Sequence, residues 1–433
     1  MRKLFVTSIL ASALSLAGCS SEDSAPEAGS DTVYIYSDGD TWEPSEPLPD
    51  ARKDYEAIGL TSDQMNTVDA GNDFALSIFR NISKSETSNS LLSPLSLSLN
   101  LGLLANGALG DTYAELAHMT GANPNRGDVD CLGNLNSVLI DGLLSADKSC
   151  RISIANSIWI ESGFDVLDDF VRNSTDSYRA GIYRRNLDEQ SITNEVNSWV
   201  GKNTNGVISK LIDRPFSADT RIALANALYF YGSWVHSFDK TLTHKASFSC
   251  IDGTVSEVDM MTYSENVVDV AHNDLFRAAI LPFGNGAFNV AFILPAKGVS
   301  LESAEAAVSA KELRRLESSK RPDCVPLCLP KFEVESDIRL KESIKALGYE
   351  SIFDTTADFG NINHLTPLWV DDIMQKAVVK IDEEGAEGAA ATLTIMDTSA
   401  GPDASMIFDR PFIFAIYERS SGAILFVGDV KAL

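Results

Sequence analysis

The chain has 433 residues, of which 44% are hydrophobic and 22% are charged, and its 61 acidic and 35 basic side chains give a net charge of −26. This composition is typical of a globular protein, and the length suits one large domain or two ordinary domains with a sizeable core. The acidic balance excludes nucleic acid as a partner, because binding to phosphates requires clustered Lys and Arg.

The N-terminus has the layout of a bacterial secretory signal peptide over residues 1–18. Arg2 and Lys3 precede an uncharged, mostly apolar run that is too short to favour a membrane-spanning helix. The run ends in Leu16-Ala17-Gly18-Cys19, which resembles the lipobox of bacterial lipoproteins, where the Cys becomes lipidated. This resemblance implies that Cys19 anchors the protein to a lipid membrane. The alternative is an ordinary cleavage site with a chance Cys.

Residues 19–60 are interpreted as the lipidated N-terminus and an extended tether. Ser20 stands where Asp would favour inner-membrane retention, so the resemblance implies a secreted lipoprotein of the outer membrane or cell surface, with a periplasm-facing anchor as the other possibility. Between residues 20 and 50 the chain carries nine acidic residues, four prolines and no Lys or Arg. Charge repulsion and stiff prolines favour an extended spacer, and an acidic recognition tail is the alternative.

The remaining cysteines and the histidines predict neither a metal site nor a cofactor. Five cysteines are left once Cys19 is set aside, so at least one thiol is free in an oxidising compartment. Cys131 and Cys150 are plausible disulfide partners, whereas Cys324 and Cys328 would lie about 13 Å apart on one strand face at ~3.3 Å per residue, too far to bridge. The five histidines are scattered singly, and none lies at metal-ligand spacing near a Cys pair.

The body of the chain is predicted to contain both α and β structure. Apolar residues recur at intervals near 3.6 over residues 63–80, which predicts a first amphipathic helix. A second helix is expected to start after Ser93-Pro94 and to end before Gly110. Apolar and β-branched runs predict strands at 151–160, 221–231, 288–294, 369–381 and 424–427. The common motifs for phosphate binding, zinc proteolysis and serine hydrolysis are absent, so nothing in the sequence argues for an enzyme.

The segment from Gly385 to Pro411 is long for a loop in a compact domain unless it is functional. It follows the strand that ends at Ile381 and a turn at 382–385. If Glu387 points to solvent, the alternation of a strand turns small and apolar side chains the other way. This face could slide between two existing strands, and a disordered Ala/Gly loop is the alternative. The face consists of Ala386, Gly388, Ala390, Thr392, Thr394 and Met396.

Six motifs in the expected order and separation show that the chain from about residue 60 to its end resembles a serpin. The motifs are 89–96, 224–234, 329–332, 347–354, the hinge at 383–391 and 408–412. The resemblance implies an α+β serpin fold over residues 61–433, with three β-sheets that include a large central mixed sheet. It also implies eight to nine helices and an exposed reactive loop at about 383–407.

The resemblance implies an irreversible bait-and-trap inhibitor of serine endopeptidases. A protease attacks the exposed loop and forms an acyl-enzyme, and the freed loop then inserts into the main sheet as an added strand before water hydrolyses the ester. The inhibitory hinge pattern is matched, although Gly388 stands where Ala is usual and Ala386 replaces a common Thr or Ser. The hinge comprises Glu383, Glu384, Gly385, Ala386, Glu387, Gly388, Ala389, Ala390 and Ala391.

Two ways of counting along the loop give reactive bonds that differ by one residue. Counting from Gly385 gives the bond between Ser399 and Ala400, and counting back from Pro411 gives the bond between Ala400 and Gly401. The loop carries no Arg or Lys before Asp409, so elastase-like or subtilisin-like proteases with shallow pockets fit better than trypsin-like ones. The runner-up is chymotrypsin-like cleavage, at Met396 or Leu393.

Two other functions remain open at this point. A serpin that is cut without trapping its protease would be a non-inhibitory binding module. The same trap could also act on papain-like cysteine proteases, because their thioester intermediate is acyl-linked as well. A monomer is expected in each case.

In the serpin family a polar cluster governs the opening of the main sheet. By position it comprises Ser93, Ser96, Asn226 and, where His is typical, Gln375. Gln does not titrate near neutral pH, so we predict no pH-gated opening. The alternative is that these buried side chains satisfy ordinary backbone groups. Glycosaminoglycan binding is not expected, since residues 112–152 carry only three Lys or Arg and no basic helix face.

Overall fold

The computed structural model describes residues 55–122, 129–263, 267–385 and 405–433, apart from the side chains of residues 129–131. The predicted signal peptide, Cys19 and nearly all of the predicted tether lie outside the described residues. The same holds for most of the predicted hinge and for both candidate reactive bonds. These residues are Ala386, Glu387, Gly388, Ala389, Ala390, Ala391, Ser399, Ala400 and Gly401.

Nine α-helices are present in the described part of the chain. The first begins after Thr61, whose hydroxyl accepts a hydrogen bond from Gln64 N–H, while the Gln64 side chain accepts one from Thr61 N–H. The second begins with Pro94 in its first turn and is buried on nearly all sides. The helices are α1 Ser62–Ser85, α2 Pro94–Gly107, α3 Gly110–Thr120, α4 Val129–Ser145, α5 Asp168–Tyr178, α6 Gln190–Asn203, α7 Leu301–Ala307, α8 Ala310–Ser319 and α9 Lys341–Ala346.

Sixteen strands form four hydrogen-bonded ladders within the described ranges. The largest has seven strands in the order β1-β16-β15-β9-β8-β7-β10 and is antiparallel throughout. A second ladder has the order β14-β11-β6-β5. The strands are β1 Ser90–Leu92, β2 Arg151–Glu161, β3 Ala180–Arg185, β4 Ile222–Tyr231, β5 His244–Ser249, β6 Val255–Thr262, β7 Val268–His272, β8 Phe276–Pro282, β9 Phe288–Pro295, β10 Arg321–Asp323, β11 Leu327–Pro330, β12 Phe332–Arg339, β13 Met374–Ile381, β14 Met406–Ile407, β15 Phe412–Glu418 and β16 Ile424–Val430.

The expected α+β architecture is confirmed, and the large mixed sheet that was expected at its centre differs in one respect. Its strands form two ladders, β3-β2-β4 and β12-β13. The first is mixed, because β2 pairs parallel with β3 and antiparallel with β4. No hydrogen-bonded pairing joins β4 to β13 among the described residues. The largest sheet among the described residues is therefore the seven-stranded one, and it is antiparallel, not mixed.

Both faces of the two smaller ladders are covered. Side chains at even positions of β4, such as Leu224 and Leu228, belong to the main core, as do Ala377 and Val379 of β13. The opposite faces pack against α6 in a separate small core that includes Ala225. Both ladders therefore pack with one face on the main core and with the other face on the small core around α6, because side chains alternate along a strand.

The helices predicted at 63–80 and after Ser93-Pro94 are confirmed as α1 and α2. The strands predicted at 151–160, 221–231, 288–294 and 424–427 are confirmed as β2, β4, β9 and β16. The strand predicted from residue 369 is wrong at its start, because β13 begins only at Met374. The Asp372 carboxylate accepts hydrogen bonds from the N–H groups of Ile373 and Lys341, at 2.8 and 3.3 Å, and holds this stretch outside the ladder.

The cysteines differ from expectation in two ways. The buried Cys150 thiol is free, so it does not form the bridge to Cys131 that the sequence made plausible. Burial raises the pKa of the Cys150 thiol well above its usual value, and the neighbouring Asp147 carboxylate adds to the increase. Cys324 and Cys328 are free, as expected, but Cys324 precedes β11 and does not share a strand with Cys328.

Across the described ranges, no helix combines the length and the apolar character that a membrane crossing requires.

Candidate functional site

The unpaired edges of β4 and β13 belong to two ladders that, among the described residues, are joined only at one end, and the interval between these edges is called the gap. Ser233, two residues after the end of β4, forms an isolated antiparallel bridge with Gly385, four residues after the end of β13. Both strands therefore run towards the same end of the gap. Each has one edge without a hydrogen-bonded strand neighbour in the described part of the chain. An edge of this kind exposes N–H and C=O groups that can template another strand.

A tight turn at Asp382–Gly385 closes the end of the gap. Asp382 N–H donates to Gly385 O and Gly385 N–H donates to Asp382 O, both at 3.3 Å. Gly385 has φ 102°, a value that favours glycine, and a Cβ at this position would lie 2.4 Å from Gly232 O. Because Gly385 bridges Asp382 on one side and Ser233 on the other, it occupies the mouth of the gap.

The first hinge acid, Glu383, is buried and paired. Its Oε1 lies 2.7 Å from Lys331 Nζ and accepts a hydrogen bond of 2.7 Å from the Thr243 hydroxyl. Burial opposes ionisation of Glu383, but the hydrogen bonds from Lys331 and Thr243 outweigh it and lower the pKa of the carboxyl below its ordinary value. Lys331 ties the turn to the start of β12, and Thr243 ties it to the segment that follows β4.

The second hinge acid, Glu384, contacts the segment that follows β4. Its carboxylate pairs with Lys240, which follows β4 in the short 3₁₀ turn Lys240–Leu242. The backbone reinforces this link, because Trp234 N–H donates to Glu384 O at 3.2 Å and Phe238 N–H donates to Glu383 O at 2.9 Å. Together the two hinge acids tie the turn to the start of β12 and to the segment that follows β4.

The Trp234 side chain links the turn to the aromatic ring of Phe283. Its ring stacks on Phe283 at a centroid distance of 4.4 Å, and its Nε1–H donates to Asp382 O at 2.9 Å. The sequence analysis noted Trp234 only as part of a motif and missed the partners Lys240 and Thr243. Their separation of 140 or more residues from the hinge leaves no spacing signal that could have identified them.

Three of the four residues of the predicted polar cluster meet beside β13. The Gln375 side chain makes two hydrogen bonds with the backbone of Ser93, accepting from N–H at 2.6 Å and donating to C=O at 2.9 Å. The Ser93 hydroxyl in turn donates to Leu425 O at 2.7 Å and lies 3.0 Å from the Ser96 hydroxyl. Both polar atoms of Gln375 are therefore used to hold β13 against the start of α2.

The fourth residue, Asn226, lies on the other side of the gap and is not hydrogen bonded to that cluster. Its Nδ2 donates to Asn156 Oδ1 at 2.7 Å, and Asn156 Nδ2 donates to Tyr178 O at 2.7 Å. Asn226 Oδ1 is buried and has no hydrogen-bond partner among the described residues. Asn156 was missed by the sequence analysis, although it lies opposite Asn226 in the β2–β4 register.

The comparisons with known proteins agree with one another. The protein-family model described as Serpin (serine protease inhibitor) matches residues 69–432. Iripin-1 of Ixodes ricinus is 30% identical over 368 residues, which are 84% of this chain and 94% of Iripin-1. Intracellular coagulation inhibitor 2 of Tachypleus tridentatus is 29% identical over 384 residues, covering 85% of this chain and 91% of its own length.

Solved structures show the same fold. The structure of the thermophilic serpin tengpin in the native state matches with a TM-score of 0.77 at 25% identity, over 87% of this chain and 95% of tengpin. Native protease nexin-1, solved with heparin, matches with a TM-score of 0.76 at 27% identity, over 86% of this chain and all of that chain.

Proposed function

Because this chain belongs to the serpin family, a family of serine protease inhibitors and not of enzymes, we propose that it is an irreversible bait-and-trap inhibitor of serine endopeptidases. In this proposal the protease serine attacks the carbonyl carbon of the reactive bond. The new amine leaves with the C-terminal part of the loop, and an ester joins the N-terminal part to the protease. Insertion of that part into the gap then carries the protease away before water completes the hydrolysis.

The observation that carries this proposal is the gap between β4 and β13, with Gly385 at its mouth. The turn Asp382–Gly385 reverses the chain at the point from which an inserted strand would start. Each backbone hydrogen bond that an inserted strand would form with β4 or β13 contributes roughly 0.5–1.5 kcal/mol. A whole inserted strand would form many such bonds, which favour insertion against the entropy cost of ordering the loop.

The proposed targets are elastase-like or subtilisin-like serine endopeptidases. Both candidate reactive bonds, Ser399–Ala400 and Ala400–Gly401, offer a small residue to a shallow primary pocket. The absence of Arg and Lys between Gly385 and Asp409 argues against trypsin-like enzymes, which require a cation. The proposal also includes a lipid membrane as a second partner, through Cys19, and therefore a secreted lipoprotein at the outer membrane or cell surface.

The test is a denaturing gel of the full-length protein after mixing with neutrophil elastase, with mass spectrometry of the released C-terminal fragment. We expect a denaturant-resistant adduct and a fragment that starts at Ala400 or Gly401. The same elastase with its active-site serine chemically blocked is the control and should give no adduct.

Other outcomes would point to the other functions. Complete cleavage without an adduct, and without a rise in the thermal stability of the cut protein, would favour a non-inhibitory binding module. Loss of papain activity with no effect on serine proteases would favour a cysteine-protease trap. A fragment that starts after Met396 or Leu393 would move the reactive bond towards chymotrypsin-like specificity.

A further inference from the structure

A cleft of about 640 Å³ lies at one side of the seven-stranded sheet, between β7, β8 and the segment that precedes α1. Distant parts of the chain line it, among them Tyr55 before α1, Lys320 after α8 and Arg419 after β15. No described residue of the turn Asp382–Gly385 takes part. A volume of this size is typical of sites for small organic ligands, which occupy roughly 300–1,000 Å³.

The Arg419 side chain is held in place at this cleft. Its guanidinium lies over the ring of Tyr55, 4.3 Å from the ring centroid. The Tyr55 hydroxyl in turn donates to Glu418 Oε1 at 3.1 Å, and the N–H of Arg419 donates to Ala287 O at 2.8 Å. Both members of the stacked pair are therefore fixed by hydrogen bonds, so a ligand would meet a cation that is already positioned.

The charges around the cleft leave Arg419 without a counter-ion. Lys320 is the other Lys or Arg among the described lining residues, and its Nζ lies 2.9 Å from Glu317 Oε1 and 3.6 Å from Asp269 Oδ2. Arg419 forms no ion pair with any residue that the structure describes. The cleft therefore carries one uncompensated positive charge, in a chain whose net charge is −26.

The stacked guanidinium still has donors to offer. Stacking on a ring uses the flat face of the group and leaves the N–H groups at its edge available. Two parallel N–H groups match the two oxygens of a carboxylate. Gly286 lies next to this edge, because a Cβ built on it would be 4.0 Å from Arg419 Nη1. The missing side chain leaves room beside the nitrogen for an oxyanion.

The rest of the cleft offers apolar surface. Val268 of β7 and Ile280 and Pro282 of β8 line it, together with the aromatic ring of Tyr263. Apolar and aromatic side chains cover the body of a small ligand, while a few polar groups fix its orientation. One unpaired cation beside apolar walls favours a ligand with a single negative charge and a flat apolar body.

We propose that this cleft binds small organic monocarboxylates, with the carboxylate on the edge of Arg419 and the apolar body against Pro282 and the Tyr55 ring. Binding of such acids would be a second function of the protein, at a site separate from the gap. The inference does not rest on protease inhibition.

The experiment is a calorimetric titration of the full-length protein with 2-naphthoate. The matched probe is 2-naphthylmethanol, which has the same ring system and no charge. We expect saturable binding of one 2-naphthoate per chain, with a Kd of about 1 mM or lower. The alcohol should bind at least about tenfold more weakly, because it cannot form the charge-assisted pair with Arg419.

Two variants assign the binding to the cleft. Arg419→Gln removes the charge from an exposed position, and we expect it to weaken binding of 2-naphthoate about tenfold or more. Arg172→Gln is the control, because Arg172 is an exposed arginine of α5 that does not line the cleft, and it should bind like the wild type. The thermal midpoint of each variant shows that it is folded.

The outcomes are separate from those of the adduct test. Equal affinity of wild type and Arg419→Gln for 2-naphthoate would overturn the proposed site, and so would equal binding of the acid and the alcohol by the wild type. Absence of saturable 2-naphthoate binding would overturn it as well. A normal adduct with elastase in any of these cases would leave the proposed function intact.

Discussion

At the scale of single residues, the most unusual feature away from the gap is a buried group of charges at the C-terminal end of β16. Lys431 and Asp429 are almost fully buried and lie 3.3 Å apart, and Lys431 Nζ also donates to Ser83 O at 2.6 Å. The Glu305 side chain of α7 accepts a hydrogen bond of 2.9 Å from the Ser83 hydroxyl. Burial raises the pKa of Glu305 to about 7, and the nearby Asp429 carboxylate adds to the increase.

This raised pKa gives the free energy of unfolding a pH dependence. Between about pH 4.5 and 7 the folded state binds a proton on Glu305 that the unfolded state releases, so the stabilisation is full below this range and is lost as the pH rises through it. Glu305→Gln keeps an acceptor for Ser83 and removes the charge. We expect the variant to lack this loss and to be more stable than wild type at pH 8 by on the order of 2 kcal/mol.

The measurement is the urea midpoint of unfolding across pH 5 to 8. Glu302→Gln is the matched control, because Glu302 lies on the same helix but is exposed and pairs with Lys84 at the surface. Identical pH profiles for wild type and Glu305→Gln would contradict the assignment.

At the scale of elements, two ion pairs hold the turn Asp382–Gly385, Glu383 with Lys331 and Glu384 with Lys240. We predict that they differ in how much they stabilise the protein. Glu383 has a side chain that is 3% exposed, so Lys331→Met leaves a buried carboxylate without its cation. We expect this variant to lose about 3 kcal/mol of stability and to become inactive on mild heating without being cut. Lys240 is 63% exposed, so solvent screens its ion pair with Glu384, and Lys240→Met should destabilise the protein much less than Lys331→Met.

These two variants are compared by thermal unfolding. Each variant is also incubated at elevated temperature, and the fraction of elastase that it can still inhibit is then measured. The pKa of Glu383 lies below its ordinary value, so its contribution is present above that ordinary value and is lost as the pH falls through the folded-state pKa. Equal losses of stability in Lys331→Met and Lys240→Met would show that burial of the carboxylate does not determine how much each ion pair stabilises the turn.

At the scale of the whole molecule, the proposed function requires a native state that is not the most stable arrangement of the chain. Two strand edges border a gap, and the same chain carries a segment of small residues that suits it. The stability of the uncut protein is then kinetic, set by the barrier to insertion. The proposed anchor at Cys19 would hold this metastable body at a membrane through the acidic tether.

The anchor is tested by detergent phase partitioning of the full chain expressed with its own N-terminus in a bacterium that processes lipoproteins. We expect the wild type to enter the detergent phase, because several acyl chains give stable membrane binding. Cys19→Ala should remain in the aqueous phase. Cys324→Ala, which removes an exposed free thiol elsewhere, is the control and should behave like the wild type. Detergent partitioning of Cys19→Ala would contradict the proposal.

Features that depend on neighbouring residues were readable from the sequence. The 3.6-residue pattern of α1, the start of α2 after Ser93-Pro94 and the apolar, β-branched runs of β2 and β4 depend on local backbone preferences and on which side chains avoid water. The composition of the hinge and the ordered serpin motifs predicted the family and the fold for the same reason, since they are properties of short segments. The position of Glu383 and Glu384 at a turn was predicted in this way.

What the tertiary structure decided is how distant segments meet. Ladder formation depends on the docking of whole layers, so no local pattern revealed that β4 and β13 lack a hydrogen-bonded pairing or that β13 starts at Met374. Nor could spacing show that Lys240 and Lys331 reach the hinge from two different segments. It also could not show that Asn226 is not hydrogen bonded to Gln375, or that its Oδ1 has no partner among the described residues. These contacts join residues far apart in sequence, and only packing in three dimensions brings them together.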